Sequence, residues 1–219
     1  DADESTRLLL QDMTDSVERA DKVIGGLLNY SRDRGLDVAP ADLNATIEKS
    51  LLLVKHELDK ARIRVAKDLD GSLPMLQLDE FKIQQVFVNL LANAIHAIGC
   101  DGEINLRTSL ERLARGANVG YRRTDRYAPG ERVAVIRIED SGPGISEEHL
   151  KKVFDPFFTT KPTGRGTGLG LSVSRQIVDM HGGTIEIGNR DVGGARVTII
   201  LKLKQKEDED EEATDPGRR

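Results

Sequence analysis

The sequence predicts an α+β protein in which a long, coiled-coil-like helix precedes a domain of helices and strands. Residues 79–99 carry apolar side chains at helical spacing, and residues 5–32 repeat them every three or four positions. Other segments alternate apolar and polar side chains, as strands with one buried face do. The strongest of these strand segments are 103–108, 133–139, 184–188 and 195–203.

The composition excludes several classes of protein. The chain has 219 residues, of which 38% are hydrophobic and 32% charged, and its net charge of −5 gives no reason to expect nucleic-acid binding. Cys100 is the single cysteine, which excludes an internal disulfide and favours a reducing, cytoplasmic compartment. No apolar run reaches membrane-spanning length, so we expect no membrane segment here. Because the chain starts at Asp1, we expect a piece of a longer protein that could carry an anchor elsewhere.

The first predicted element is the helix of residues 5–32. A helix that is apolar along one side is not stable alone in water. We therefore predict that residues 1–34 are part of a helical hairpin that forms a homodimer through residues 5–32. The alternative is that the helix packs on its own domain. Residues 35–42, which include Pro40, are predicted to be a linker.

The next elements lead to the central helix. A helix is predicted to begin at Asp42 and to continue to Leu58, because apolar residues recur at helical spacing between them. Residues 63–68 alternate and are predicted to form a strand. Residues 75–78 form a short segment that runs into the helix of residues 79–99.

The central helix carries the first candidate functional residues. Asp79 stands where an N-cap belongs, and Gly99 stands where a helix ends. Amide oxygens are ligands that Mg²⁺ accepts beside phosphate oxygens, so Asn89 and Asn93 are candidate metal ligands. The plainer alternative is a solvated helix face. The residues that share a narrow polar face beside the apolar stripe are Lys82, Gln85, Asn89, Asn93 and His96.

A long insertion separates the first two strong strands. Residues 109–131 are more arginine-rich than a hairpin connection needs. They could form a basic patch for an acidic partner, but we favour a solvated insertion at the end of the sheet. The arginines concerned are Arg112, Arg115, Arg122, Arg123 and Arg126.

Two glycine-rich loops are candidate ligand sites, and an ordinary β-turn is the alternative for the first of them. After the strand 133–139, Asp140 can accept a hydrogen bond from a ligand amine, and the glycines of DSGPG allow a flat ring to lie against backbone. Residues 164–171 run into a helix predicted at 172–181, whose N-terminal N–H groups would favour an anion. Lys161 and Arg165 could pair with phosphate charge, and the glycine-rich stretch could close as a lid. Residues 204–219 are acidic and are predicted to be disordered.

Five motifs, in this order, resemble the N, G1, F, G2 and G3 boxes of the sensor histidine kinases. They are NLLANAIHA, DSGPGI, FDPFFTTK, GRGTGLGL and GGARVTI. The match covers about residues 79–203 and looks most like the subgroup related to nitrogen-regulation sensor kinases. The resemblance implies an ATP-binding catalytic domain over residues 43–203. It also implies a two-layer α/β sandwich, with a mixed sheet under three helices, shared with gyrase, mismatch-repair and chaperone ATPases.

The resemblance implies ATP and Mg²⁺ as ligands. Asn93 would hold Mg²⁺ with support from Asn89, and His96 would lie near the phosphates. Asp140 would accept a hydrogen bond from the adenine amino group. By the same resemblance Asn89, Asn93, His96 and Lys161 would be the catalytic set. The other implied nucleotide contacts are Gly142, Gly144 and Ile145 at the ring, Lys161 and Arg165 in the lid, Gly166, Thr167, Gly168, Leu169, Gly170 and Leu171 at the phosphates, and Thr198 behind the adenine.

One part of the family pattern is missing. The acceptor histidine of the family lies in an H-E-x-x-x-P-like motif, and none of the four histidines fits it; His56-Glu57 lacks the proline. We therefore expect residues 5–32 to be the second hairpin helix and the acceptor histidine to lie outside this chain. The implied function is transfer of the γ-phosphoryl of ATP to that histidine, for relay to an aspartate of a response regulator.

Three other functions fit parts of the sequence. A conformational ATPase of the gyrase or chaperone type would need a glutamate on the central helix to activate water, and Gln85 at that turn is not a base. A serine kinase on the same fold would be distinguished by phosphoserine in place of phosphohistidine. A binding module without turnover is disfavoured by the Asn pair and Asp140, and an ATP-binding measurement would decide.

Overall fold

The structure is a computed structural model, which describes residues 35–113, 130–161 and 166–203 together with Thr6, Met13 and Tyr127. The helix and dimer contact predicted for residues 5–32, the acidic tail after residue 203, and Arg165 lie outside the described residues. The described residues form two compact units. One contains residues 36–113, 127, 130–145 and 177–203, and the other contains residues 146–161 and 166–176 together with Gly35, Thr6 and Met13. The predicted domain boundaries remain predictions.

The first unit is built on a five-stranded mixed sheet with the strand order β2-β4-β5-β7-β6. β2 runs parallel to β4, and the other neighbours are antiparallel. A two-stranded antiparallel sheet, β1-β3, accompanies it. The strands are β1 Ala39–Ala41, β2 Arg64–Asp68, β3 Leu76–Leu78, β4 Glu103–Arg112, β5 Arg132–Asp140, β6 Thr184–Asn189 and β7 Ala195–Lys202.

Helices cover one face of this sheet. α1 (Leu43–Leu53) packs against α3 (Glu80–Ile98), and α3 contacts β5. The apolar stripe predicted on α3 is buried from Ile83 to Ala94. The strands contribute every second residue to the same core, because side chains alternate across a sheet. On β4 and β5 these buried residues are Ile104, Leu106, Thr108, Ala134, Ile136 and Ile138.

The opposite face of the sheet, called here the outer face, has an apolar end and a polar end. Val133, Val135 and Ile200 form a buried cluster that Leu113 and Tyr127 cover. The polar end encloses a groove of about 480 Å³. Arg137 lies there and makes an ion pair with Glu111 at 3.0 Å. The α+β sandwich predicted from the sequence is confirmed for this unit.

Several element bounds differ from the sequence prediction. The helix predicted from Asp42 to Leu58 is interrupted at Val54, which leaves helical geometry and donates its N–H to Leu52 O; α2 (Lys55–Ala61) follows. β1 lies inside the segment predicted as a linker, because residues 39–41 pair with β3. β4 and β5 continue their antiparallel ladder to Arg112 and Arg132, so the insertion begins at residue 113 instead of 109.

A histidine after the last helix is hydrogen-bonded to the start of the central helix. His181 follows α5 (Gly170–Met180), and its Nε2 accepts a hydrogen bond from Asp79 N at 3.0 Å. Asp79 is also the N-cap of α3, where its Oδ1 accepts from Lys82 N at 3.0 Å. The start of the Asn-bearing helix is therefore held by a residue 102 positions later in the chain.

Candidate functional site

The central helix places its two asparagines at the edge of the buried stripe. Asn89 and Asn93 are both half-buried and lie one helical turn apart, while His96 is exposed on the last turn. Their neighbours Leu90, Leu91 and Ala94 are buried. The helix therefore presents two amide groups beside its buried stripe, as the sequence predicted.

The loop of residues 140–145 lies against the end of the central helix. A Cβ at Gly142 would come within 3.2 Å of the backbone C and O of Ala97, so any other residue would require the loop or the helix end to shift. Ser141 N donates to Glu103 O at 3.0 Å, and Ser141 Oγ accepts from Glu103 N at 2.9 Å. The structure thus brings this loop next to the turn of α3 that carries His96.

Asp140 is the last residue of β5 and is 7% exposed. Its Oδ1 accepts hydrogen bonds from Gly142 N at 2.8 Å and from Ala195 N at 3.3 Å. Both of these bonds go to one carboxylate oxygen, which fixes the plane of the group. The second oxygen, Oδ2, is the candidate acceptor for a ligand donor.

The sheet register separates Thr198 from Asp140. Thr198 pairs with Arg137, and residues directly opposite in an antiparallel ladder share a face. Asp140 is three residues from Arg137 and therefore lies on the opposite face, with Ile138 and Ile136. The residue of β7 that contacts Asp140 is Ala195. The motif GGARVTI located the strand correctly but did not give the face of each residue.

The second unit contains the FDPFFTTK motif and the described part of the GRGTGLGL motif. Its short helix α4 (Glu147–Leu150) is capped by Ser146, whose Oγ accepts from His149 N at 3.3 Å. Phe157 and Gly168 both have positive φ, of 67° and 66°. A Cβ at Gly168 would lie 2.2 Å from the carbonyl carbon of Phe157, so the two motifs are in backbone contact and the position accepts only glycine.

The phosphate-binding candidates Lys161 and Gly166 are also brought together within this unit. A Cβ at Gly166 would lie 3.1 Å from Lys161 Cδ and 2.6 Å from Thr159 Oγ1. Lys161 N donates to Thr159 Oγ1 at 3.1 Å, and burial lowers the pKa of the Lys161 ammonium group.

The glycine-rich stretch then enters α5 as predicted, although the helix begins two residues earlier, at Gly170. Thr167 Oγ1 accepts from Leu169 N at 3.3 Å, and Val173 N donates to Leu169 O at 2.9 Å. Leu169 is buried, whereas Thr167, Gly168 and Leu171 are half-buried. The residues predicted to surround phosphates therefore lie together where α5 begins.

Sequence reasoning missed three residues that contact the 140–145 loop. Asn189, Arg190 and Ala195 come from the end of β6, its turn and the start of β7. The Gly193-Gly194 pair was a signal for a tight turn, but no local pattern shows which loop that turn meets.

Comparison with known proteins gives one family for the chain. Residues 78–205, more than half of the chain, match the family described as histidine kinase-, DNA gyrase B- and HSP90-like ATPase. The sensor histidine kinase ZraS of Escherichia coli O157:H7 is 36% identical over 195 residues, which are 89% of this chain and 38% of ZraS. The histidine kinase/phosphatase NtrB of Rhizobium meliloti is 32% identical over 85% of this chain and 46% of its own length. This chain spans less than half of either relative.

Solved structures agree with the family match. The nucleotide-free catalytic domain of the histidine kinase ThkA superimposes with a TM-score of 0.61 at 31% identity, covering 77% of this chain and 97% of that one. ThkA in complex with the response regulator TrrA superimposes with a TM-score of 0.67 at 28% identity, over 90% of this chain and 51% of that one. The chain therefore belongs to the histidine kinase-, DNA gyrase B- and HSP90-like ATPase family, in which it is an ATP-binding catalytic domain of the two-component histidine kinase type.

Proposed function

We propose that this chain is the Mg–ATP-binding catalytic region of a protein histidine kinase. The observation that carries the proposal is the presence, on one unit, of two half-buried amides on α3 and of an oriented carboxylate, Asp140, at the start of a glycine loop. Asp140 Oδ2 would accept a hydrogen bond from the adenine amino group, while Gly142, Gly144 and Ile145 would border the ring.

The residues on the central helix fit a divalent cation. Asn93 would provide an amide oxygen to Mg²⁺, and Asn89 would support it; few protein ligands are needed, because Mg²⁺ keeps water and phosphate oxygens. When bound, Mg²⁺ neutralises charge on the β- and γ-phosphates. His96, which is exposed on the last turn of α3, would approach phosphate oxygens.

The described lid residues that the sequence indicated lie within the second unit. Gly166 to Leu171 would offer backbone N–H groups at the start of α5, and Lys161 and Arg165 would contribute positive charge. Burial lowers the pKa of Lys161, and a bound triphosphate would oppose this effect because a nearby negative charge favours the ammonium form.

The proposed reaction is an in-line phosphoryl transfer. An imidazole nitrogen of an acceptor histidine outside this chain attacks the γ-phosphorus, the bond to the β,γ-bridging oxygen breaks, and ADP leaves. Little covalent chemistry is required of the protein, so positioning and charge neutralisation account for catalysis. The phosphoryl group then passes to an aspartate of a response regulator, a partner class supported by the ThkA complex with TrrA.

A nucleotide titration tests the proposal. We expect Asn93→Ala to weaken binding of a fluorescent ATP analogue in magnesium buffer by more than about tenfold, because a ligand to the cation is lost. Removing magnesium should weaken nucleotide binding strongly in the wild type and only a little in the variant. Gln84→Ala is the matched control, since nine residues at about 100° each place Gln84 on the opposite side of the helix. Unchanged affinity of Asn93→Ala would contradict the proposal.

A further inference from the structure

We propose that Asn189 is a positioning residue for nucleotide recognition, which acts by holding the 140–145 loop in its binding conformation together with Arg190. The inference rests on the proposed function, because it concerns the adenine side of the same site. Neither residue belongs to the motifs that the sequence analysis singled out.

Asn189 makes a two-point contact with the backbone of Ile145. Its Oδ1 accepts from Ile145 N at 2.8 Å, and its Nδ2 donates to Ile145 O at 2.7 Å. Only a side chain with both a donor and an acceptor in one plane reproduces this pair, which copies a strand-to-strand bridge. The contact joins residues 44 positions apart and fixes both polar groups of one loop residue.

The Asn189 side chain also packs closely against the backbone of Gly144. Gly144 has φ +77°, and a Cβ there would come within 2.9 Å of Asn189 Oδ1. A residue other than glycine would therefore displace the amide, in addition to the cost of a positive φ. The fit explains why this loop needs its second glycine.

Arg190 holds the other end of the loop. Its Nη1 donates to the backbone O of Asp140 at 2.9 Å, and its Nε lies 3.4 Å from Glu139 Oε2. The Arg190 side chain is only 17% exposed, and its turn is closed by Arg190 N donating to Gly194 O at 3.0 Å. A Cβ at Gly194 would come within 1.9 Å of Asp140 O, so the turn and the strand end touch.

These contacts fix the 140–145 loop at its first and last residues. Arg190 and Ala195 fix Asp140, whereas Asn189 fixes Ile145. A recognition loop held in place before the ligand arrives loses less conformational freedom on binding. The β6–β7 turn is thus suited to set both the position of the base-recognising carboxylate and the surface against which the ring lies.

The experiment compares three ligands in competition titrations with this chain: ATP, ITP and magnesium tripolyphosphate. ITP carries an oxo group in place of the amino group that Asp140 would recognise, and tripolyphosphate has no base. For Asn189→Ala we expect a loss of ATP affinity of roughly tenfold, because two hydrogen bonds that position the loop are gone. The affinity for ITP should fall less, so the ratio of ATP affinity to ITP affinity should decrease. The affinity for tripolyphosphate should be unchanged.

Two further variants and one structural measurement complete the design. Asn189→Asp keeps the acceptor for Ile145 N but places a carboxylate against Ile145 O, so it should behave like the alanine variant. Asn105→Ala on β4 is the control, because it also shortens an asparagine to alanine but lies outside the 140–145 loop and the β6–β7 turn. Hydrogen exchange at the Ile145 amide should be protected in the wild type and accelerated in both Asn189 variants.

The outcomes separate this inference from the proposed function. An equal loss for all three ligands, or unchanged ATP affinity together with faster exchange at Ile145, would overturn the positioning role alone. A wild-type chain that binds ATP no better than ITP would overturn the adenine recognition on which both depend.

Discussion

At the scale of single residues, His181 has one defined protonation state in this fold. Its Nδ1 lies 2.7 Å from Ile177 O and acts as the donor, while Nε2 accepts from Asp79 N. Burial lowers the pKa of His181, and nearby Lys82 acts in the same direction, whereas the hydrogen bond to Ile177 and the charge of Asp79 oppose them. The neutral imidazole is therefore part of the N-terminal cap of the Asn-bearing helix.

This protonation state predicts a pH dependence of stability. The pKa of an unfolded histidine is about 6.5, and that of folded His181 is lower. As the pH falls, the unfolded chain therefore takes up the proton before the folded chain does. The His181 contribution to the free energy of unfolding is complete above pH ~6.5 and falls as the pH drops toward the lowered folded value. Urea unfolding at pH 7.5 and 5.5 should show this loss.

The matched variants make the His181 prediction specific. His181→Ala should cost about 1 kcal/mol at pH 7.5, because Asp79 N loses its acceptor, and its stability should change less between the two pH values. His56→Ala, at an exposed position on α2, should keep the wild-type pH dependence. Identical pH profiles for wild type and His181→Ala would contradict the assignment.

At the scale of elements, two described residues of the β4–β5 connection, Leu113 and Tyr127, cover the apolar end of the outer face. Tyr127 packs on the cluster of Val133, Val135 and Ile200, and its hydroxyl lies 3.2 Å from both Thr184 Oγ1 and Ile200 O. Lys202 Nζ lies 5.3 Å from the centre of the same ring. Tyr127 is therefore packed on the sheet. The solvated insertion that the sequence favoured for residues 109–131 stays a prediction, because residues 114–126 and 128–129 lie outside the described residues.

Graded substitutions at Tyr127 test this packing. Tyr127→Phe should lower the free energy of unfolding by about 1 kcal/mol through the lost hydroxyl contacts, and Tyr127→Ala by about 2 kcal/mol or more, since apolar contact is lost as well. Both variants should keep the wild-type ATP affinity, because the ring lies on the outer face. Equal stability of all three proteins in urea unfolding would show that the ring contributes nothing.

The elements also show what local patterns can predict. The stripe from Ile83 to Ala94 predicted α3 together with its caps, because helix periodicity and capping are properties of adjacent residues. The three-residue strands β1 and β3 were missed, since their pairing joins residues about 40 positions apart and leaves no period in so short a segment. The break at Val54 was missed because apolar spacing continues through it.

In the candidate site, too, contiguous motifs were predicted from the sequence and long-range contacts were not. The Asn pair, Asp140 and the glycine loops were found from the sequence because each motif is contiguous. Asn189 was not found, because its contact with Ile145 depends on how the β6–β7 turn meets a distant loop. Thr198 was placed at the adenine, but strand parity puts it opposite Arg137 on the outer face.

At the scale of the whole molecule, we propose that none of the four histidines of this chain is the acceptor of the kinase. His56 and His96 are exposed on helix surfaces, His149 stacks edge-on with Phe158, and His181 caps α3. We therefore propose that the chain binds Mg–ATP without phosphorylating itself. No helix within the described residues has the length and hydrophobicity to cross a membrane.

Incubation with radiolabelled ATP checks this proposal. The isolated chain should incorporate no acid-labile phosphate, whereas adding a hairpin that carries an acceptor histidine from a related kinase should give labelled phosphohistidine on the hairpin. The positive control is retention of the fluorescent ATP analogue by the same preparation. Label on the isolated chain, mapped to any of its own histidines, would contradict the proposal.

The alternation of side chains along β5 also gives a simple rule for protein engineering. Even-numbered positions from Ala134 to Asp140 point toward the helices, and odd-numbered positions from Val133 to Glu139 point away from them. A deep mutational scan of this strand should therefore split into two classes by the parity of the residue number. Libraries that diversify surface charge without changing nucleotide selectivity belong at Arg137, whereas Glu139 contacts Arg190 and should be kept. Orthogonal variants that accept modified bases begin at Ile138 and Asp140.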